Sequence, residues 1–178
     1  MPLAYIALGA NLPSSAGLPN ATLAAAVEGF AALGLVAARS SLYSTAPVGL
    51  EDQPRFLNAV VALETHLPPR ELLHSLLDIE QAFGRDRAAS VPNGPRTVDL
   101  DLLLYGDLAL AAAGLEIPHP RLAERAFVLV PLHEIAPDLR DPRSGKTVAQ
   151  LLLALGDHLE QDAVAKIEGG LWTENSVR

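Results

Sequence analysis

The run Gly94-Pro95-Arg96-Thr97-Val98-Asp99-Leu100-Asp101-Leu102-Leu103-Leu104-Tyr105 holds the side chains best suited to chemistry in this chain. It reads as a strand, with Asp99 and Asp101 on one face and Leu100, Leu102 and Leu104 on the other. Residues two apart on a strand carry Cβ atoms about 6.5–7 Å apart. With no positive residue between them, two such carboxylates repel unless a cation sits there, which suggests metal ligation. The alternative is a polar strand face open to water. Arg96 stands at the mouth of the strand. Carboxylates for Mg²⁺ beside a guanidinium for phosphate oxygens form the minimal set for phosphoryl transfer.

Other residues could serve the same site. Positive charge clusters at Arg85, Arg87, Arg96, Arg121 and Arg125 in a chain whose formal net charge is −8. That overall charge argues against nonspecific binding to nucleic acid or anionic membrane, yet leaves room for a local basic pocket. His119 lies in the rigid turn Ile117-Pro118-His119-Pro120-Arg121, where it either contacts phosphate or caps the turn. His66, His74, His133 and His158 lack metal-ligand spacing and read as surface or helix-packing residues. Asn58 interrupts an apolar strand, where its amide must find partners or bear a desolvation penalty. A planar amide there can read the edge of a heterocycle, and Phe56 and Phe127 either stack on such a ring or pack the core. Glu80, taken alone, reads as a solvated helix residue on the side opposite Leu72, Ile79 and Phe83.

The elements that must position these groups follow from periodicity. Strands are expected at Leu3–Gly9, at Leu35–Tyr43, at Phe56–Glu64 and at the Asp99 segment, which runs into a hairpin around Gly106-Asp107. Phe56, Asn58 and Val60 share one face of the third strand. Helices are expected over Thr22–Leu33, from Pro68-Pro69 to Phe83 with a stop at Gly84, over Arg121–Val130 and over Val148–Leu155. The segment Arg85–Pro95, with arginines at its start and just after its end, suits a mobile lid over a phosphate-bearing ligand. The order β-α-β-β-α-β is ferredoxin-like: an α/β (α+β) fold with a mainly antiparallel sheet and helices packed on it. One domain over 1–160 is expected, with 161–178 as a peripheral tail.

Composition removes several classes. The chain has no cysteine, which excludes disulfides, thiolate zinc sites and cysteine nucleophiles. The longest apolar stretch, Ala21–Ala38, carries Glu28 and two glycines and makes a poor membrane span. No Gly-rich loop precedes a Lys-Ser/Thr pair, so a P-loop is absent, and Gly9-Ala10-Asn11 is too short for a dinucleotide fingerprint. The N-terminus runs directly into a strand pattern without a signal peptide, so the cytoplasm is the expected compartment.

Five segments together resemble the 6-hydroxymethyl-7,8-dihydropterin pyrophosphokinase family of folate biosynthesis. They are Gly9-Ala10-Asn11-Leu12, Tyr43-Ser44-Thr45-Ala46-Pro47-Val48-Gly49, Phe56-Leu57-Asn58-Ala59, the Gly94–Leu103 run, and Pro118-His119-Pro120-Arg121-Leu122. The resemblance implies a ferredoxin-like domain with family-specific additional elements, acting as a monomer with three loops that close over ATP and pterin. It implies transfer of the β,γ-diphosphate of ATP to the pterin hydroxymethyl group, with release of AMP. By the same resemblance Asp99 and Asp101 bind two Mg²⁺ ions, and Arg85 and Arg96 join them as catalytic residues. Glu80, Arg85, Arg87, Arg96, His119 and Arg125 bind ATP, while Thr45, Ala46, Val48, Phe56, Asn58 and Phe127 line the pterin pocket.

This chain departs from the family at Ala10, often serine, and at Phe56, commonly tyrosine. In the lid, Pro92 and Asn93 stand where some members have arginine and tryptophan, and the lid is one residue longer. A ferredoxin-like regulatory domain that binds nucleotide would fit the fold and the arginines, but gives no reason to pair Asp99 with Asp101. A purely structural module would leave polar residues in five separate segments as coincidence.

Overall fold

Alternating apolar residues in three segments build the centre of the molecule. The structure, a computed structural model, describes residues 1–89, 91–156 and 164–168. In chain order its elements are β1 (Leu3–Ala10), α1 (Pro19–Gly29), β2 (Leu35–Arg39), β3 (Tyr43–Thr45), β4 (Phe56–Glu64), α2 (Pro69–Ala82), β5 (Asp99–Tyr105), β6 (Leu110–Ala112), β7 (Leu115–Ile117), α3 (Ala126–Ile135), α4 (Val148–Leu155) and β8 (Ala165–Lys166). The main sheet has the order β5-β1-β4-β3-β8, with β2 also on β4, and these pairings are antiparallel. This is the expected ferredoxin-like core. Among the described residues, no helix is long and apolar enough to cross a membrane.

Each sheet face supports its own core because successive strand residues point to opposite sides. On one face Ile6, Leu8, Val61, Leu63 and Leu100 meet Leu23, Val27 and Phe30 of the α1 region and Leu72 and Leu76 of α2. Tyr5, Ala7, Val60, Ala62 and Leu103 face Val128, Leu129 and Leu132 of α3 and Val148 and Leu151 of α4. A fully buried Leu or Phe contributes about 1.5–3 kcal/mol relative to exposure. Tertiary burial therefore holds these short helices far more firmly than their propensity does. α4 is also capped by Thr147 and Gln150, whose side chains each accept a hydrogen bond from the other's backbone N–H.

Several expectations need correction. The first helix begins at Pro19, not Thr22, because proline suits a helix start, and Phe30–Ala32 tightens into a 3₁₀ turn. The expected strand Leu35–Tyr43 is split into β2 and β3. Ser40 is buried at the break, where its hydroxyl accepts from Val60 N–H and donates to Ser41 C=O. Leu104 lies on the α3 side, not with Leu100 and Leu102: a bulge pairs Ile6 with Leu102 but Tyr5 with Leu104, so one residue is left over. The hairpin is not at Gly106-Asp107. The chain turns there, and β6 and β7 pair with each other around Gly114. The Arg121–Val130 helix is broken, since Leu122–Glu124 is a 3₁₀ turn and Arg125 has an extended backbone that caps α3. Within the expected tail 161–178 the described residues 164–168 carry β8, an edge strand paired with β3; 161–163 and 169–178 lie outside the described residues.

Candidate active site

One end of the sheet, on the α3 side, collects the functional side chains. β1 ends there at Ala10, just after Gly9, β3 ends at Thr45, and β4 and β5 begin there at Phe56 and Asp99. Together with α3 they border a cleft of about 680 Å³, open to solvent, lined by Gly9, Thr45, Ala46, Val48, Phe56, Asn58, Asn93, Arg96, Asp99, Asp101, Arg125 and Phe127, among others. All six residues expected around a pterin are thus brought together, and both carboxylates face the same space.

Local pairing explains how the amide is aimed. Asn58 is buried, and its Nδ2 donates to Thr45 Oγ1 at 2.6 Å. Its register partner on β1 is Gly9, where an added Cβ would lie 2.9 Å from Asn58 Oδ1. Glycine is needed there so that the amide can lie across the neighbouring strand. Two aromatic rings flank the space, each beside a guanidinium: Arg96 lies 5.5 Å from the Phe56 ring centroid and Arg125 lies 5.6 Å from that of Phe127. Cation–π attraction holds each arginine over its ring.

Charge is tightly paired around the carboxylates. Arg96 Nη1 donates to Asp99 Oδ2 at 2.6 Å, while Arg85 and Arg87 each approach Asp99 Oδ1 at 3.6 Å. Arg125 reaches Asp101 Oδ2 at 3.4 Å. Burial pushes the Asp101 carboxyl above its ordinary value, and the Asp99 charge pushes it further. Burial lowers the guanidinium pKa values of Arg85 and Arg125, and among the described residues Arg85 Nε is buried without a hydrogen-bond partner. His119 Nδ1 accepts from Arg121 N–H at 3.1 Å, which leaves Nε2 as the donor in the neutral ring. Burial lowers the His119 pKa and so favours that neutral form, although Asp101 pulls the other way.

Glu80 differs from its expectation. It is 1 % exposed and lies one turn after Leu76, on the buried side of α2. Its Oε1 accepts from Leu100 N–H at 2.7 Å, and its two oxygens accept from Arg87 Nε and Nη2 at 2.7 and 2.8 Å. Burial raises its pKa despite these bonds. Glu80 therefore ties α2, β5 and the start of the lid together. The other histidines stay apart from the site: His66 and His74 are exposed and His133 is half-buried. His158 lies outside the described residues.

Three further residues at the site give no functional signal in the sequence alone. Gly9 becomes meaningful only through its register with Asn58. Asn11 is buried, with its Oδ1 accepting from Arg96 N–H at 2.8 Å and its Nδ2 donating to Gln53 Oε1 at 3.0 Å. Gln53 in turn donates to Asn93 C=O at 2.7 Å. Asn93 itself adopts a left-handed backbone at φ 57°, a conformation asparagine tolerates well, at the wall of the cavity. The loops after β1, after β3 and before β5 are thus joined by side-chain amides.

The family model for 7,8-dihydro-6-hydroxymethylpterin-pyrophosphokinase matches residues 5–137. The chain belongs to this pyrophosphokinase family. A Pseudomonas aeruginosa protein named 2-amino-4-hydroxy-6-hydroxymethyldihydropteridine pyrophosphokinase is 45% identical over 152 residues, covering 84% of this chain and 90% of its own. A protein of the same name from Synechocystis sp. is 55% identical over 113 residues, covering 64% of this chain but 56% of its own. Wild-type Plasmodium falciparum HPPK-DHPS superposes with a TM-score of 0.70 at 14% identity, over 90% of this chain and 46% of that longer one, a likeness of fold. The pyrophosphokinase match spans every residue singled out above as lining the cavity or holding its charges.

Proposed function

We propose that this chain transfers the β,γ-diphosphate of ATP to the hydroxymethyl oxygen of 6-hydroxymethyl-7,8-dihydropterin, releasing AMP, as a step of folate biosynthesis. The observation that carries this reading is the sharing of one cavity by a buried asparagine between two aromatic rings and a carboxylate pair ringed by arginines. An acceptor heterocycle and a triphosphate can then meet within one space, which lowers the entropic cost of bringing them together.

The residues fit Mg²⁺. Asp99 and Asp101 supply two hard oxygen donors, and among the described residues no group of three or more acidic, histidine or cysteine side chains forms a closed cage. That donor set suits an ion that keeps waters and takes phosphate oxygens as its remaining ligands. A cation there would also relieve the burial and repulsion that raise the Asp101 pKa. Asp99 and Asp101 would hold two such ions, which would neutralise charge developing on the phosphate oxygens.

The protein's own groups do the rest. Arg85, Arg87, Arg96 and Arg125 turn from carboxylates toward the triphosphate, with neutral His119 offering Nε2–H as a further donor. Asn58 reads the pterin edge while Phe56 and Phe127 confine its faces; Thr45, Ala46 and Val48 close the side of the slot. Among the described residues no side chain at the site is a strong base, so the acceptor oxygen is activated chiefly by its position and by the positive charge around it. Action as a monomer is what the resemblance to the family implies. ATP as co-substrate supports a cytoplasmic setting. The catalytic unit is the domain over 1–160, which supplies every residue assigned above to ATP, metal or pterin.

A coupled assay for AMP tests the reading. AMP release should require Mg²⁺ and the pterin alcohol together. Release of ADP would replace diphosphate transfer by single phosphoryl transfer, and nucleotide turnover independent of the pterin would remove the acceptor assignment.

A further inference from the structure

Outside the charged site, one carboxylate gathers an unusual number of donors. Glu134, near the C-terminal end of α3, accepts from Ser41 N–H at 2.9 Å and Tyr43 OH at 2.8 Å through Oε2. Its Oε1 accepts from Ser41 OH at 2.7 Å and from Lys166 Nζ at 3.2 Å. Tyr43 and Lys166 are register partners on β3 and β8, so one side chain of α3 grips two neighbouring strands and the loop before them. The grip is reflected in both partners. Burial, aided by the Glu134 contact, raises the Tyr43 hydroxyl to about 12. Burial alone would raise the Glu134 pKa, but its hydrogen bonds outweigh that and leave it lowered.

The position of this grip matters because of what lies at the opposite end of α3. Phe127 is seven residues before Glu134, two helical turns and about 10 Å away on nearly the same helix face. Thr45 is two residues after Tyr43, on the same face of β3, and holds the Asn58 amide. Helix and strand are pinned together at Glu134–Tyr43 and stand apart, around the cavity, at Phe127–Thr45. The Lys166 pair is partly exposed, with side chains 47% and 28% accessible, so its contribution is small. The bonds from Ser41 and the buried Tyr43 carry the constraint.

We propose that Glu134 is a positioning residue for the pterin slot: by pinning α3 to Ser41, Tyr43 and Lys166, it sets the distance of Phe127 from Thr45 and Asn58. The inference rests on the pterin assignment above. It separates the two substrates, because Arg85, Arg87 and Arg96 around Asp99 come from the lid and the mouth of β5, away from Glu134 and its partners; of the arginines assigned to the triphosphate only Arg125, which caps α3, shares its helix.

The test is a comparison of Glu134→Ala, Glu134→Gln and Tyr43→Phe by steady-state kinetics, with thermal unfolding measured alongside. Glu134→Ala should raise the pterin KM roughly tenfold while the ATP KM stays within about twofold, since displacement by a fraction of an ångström is costly only for the ligand in the slot. Glu134→Gln keeps a carbonyl acceptor and should recover much of the loss. Tyr43→Phe removes one hydroxyl and should move the pterin KM in the same direction by a smaller factor. If Glu134→Ala does not fold, Tyr43→Phe and Ser41→Ala carry the same comparison. Equal rises in both KM values, or a lowered melting temperature with an unmoved pterin KM, would overturn the positioning role. A natural chain that releases no AMP with the pterin alcohol would instead remove the functional reading beneath it.

Discussion

Glu80→Gln and Glu80→Ala separate what this buried carboxylate does by its oxygens from what it does by its charge. In the alanine variant Leu100 N–H loses its acceptor in a buried setting, a loss of about 1–3 kcal/mol. The Arg87 pair adds only about 0.5–1 kcal/mol, because Arg87 is half exposed and water screens it. With the lost packing, destabilisation of roughly 2–4 kcal/mol is expected. Glutamine keeps a carbonyl for Leu100 N–H and sheds the cost of burying a charge, so its stability should lie within about 1 kcal/mol of the natural chain. Urea unfolding at neutral pH, with unchanged slopes, measures both. The pH dependence follows from the raised pKa of Glu80. Its proton is bound more tightly in the folded than in the unfolded state, so its contribution favours folding at low pH and is lost as pH rises through the raised value. Glutamine has no such proton and should gain relative to the natural chain over that interval. If glutamine proves as damaging as alanine, charge pairing with Arg87 and not the bond to β5 is what the site requires.

Other outcomes are equally concrete. Asp99→Asn and Asp101→Asn should each lower turnover by orders of magnitude at saturating Mg²⁺ with the fold intact by circular dichroism; near-normal turnover would remove that carboxylate from the machinery. Asn58→Ala should weaken pterin binding in the presence of a nonhydrolysable ATP analogue while leaving nucleotide affinity unchanged, as calorimetry would report. Gly9→Ala, whose new Cβ would press on the Asn58 amide, should act in the same direction. Asn93→Trp should slow pterin release measured by stopped-flow fluorescence, and an unchanged off-rate would mean that the lid confines the ring without stacking on it.

The site was legible where local periodicity carried it and obscure where register did. Asp99 and Asp101 share a face because the strand period is two, and that needs no tertiary information. Leu104 escaped the same rule because a bulge shifts the β1–β5 register within the strand. Glu80 misleads because a carboxylate argues for solvent while its spacing from Leu76 argues for burial, and its partners on β5 and in the lid lie 20 and 7 residues away. Gly9 and Gln53 carry no local signal at all: one matters through a cross-strand neighbour, the other through a loop 40 residues on. The break between β2 and β3 depends on a serine hydroxyl substituting for ladder bonds, which a run of strand-forming residues conceals.

The three guanidiniums around Asp99 have one further consequence. Cations brought this close would spread apart if nothing of opposite sign stood among them. Asp99 occupies the middle, so the chain already contains an anion where its arginines converge. On the function proposed above, nucleotide binding then resembles ion exchange on a charged resin: one anion displaces another from a cation shell that is already gathered. The shell need not be assembled at the moment of binding, and its largely buried members Arg85 and Arg96 have little hydration left to be stripped. A neutral residue at position 99 would leave that shell without its mould, and the arginines would have to be collected by the incoming phosphates themselves.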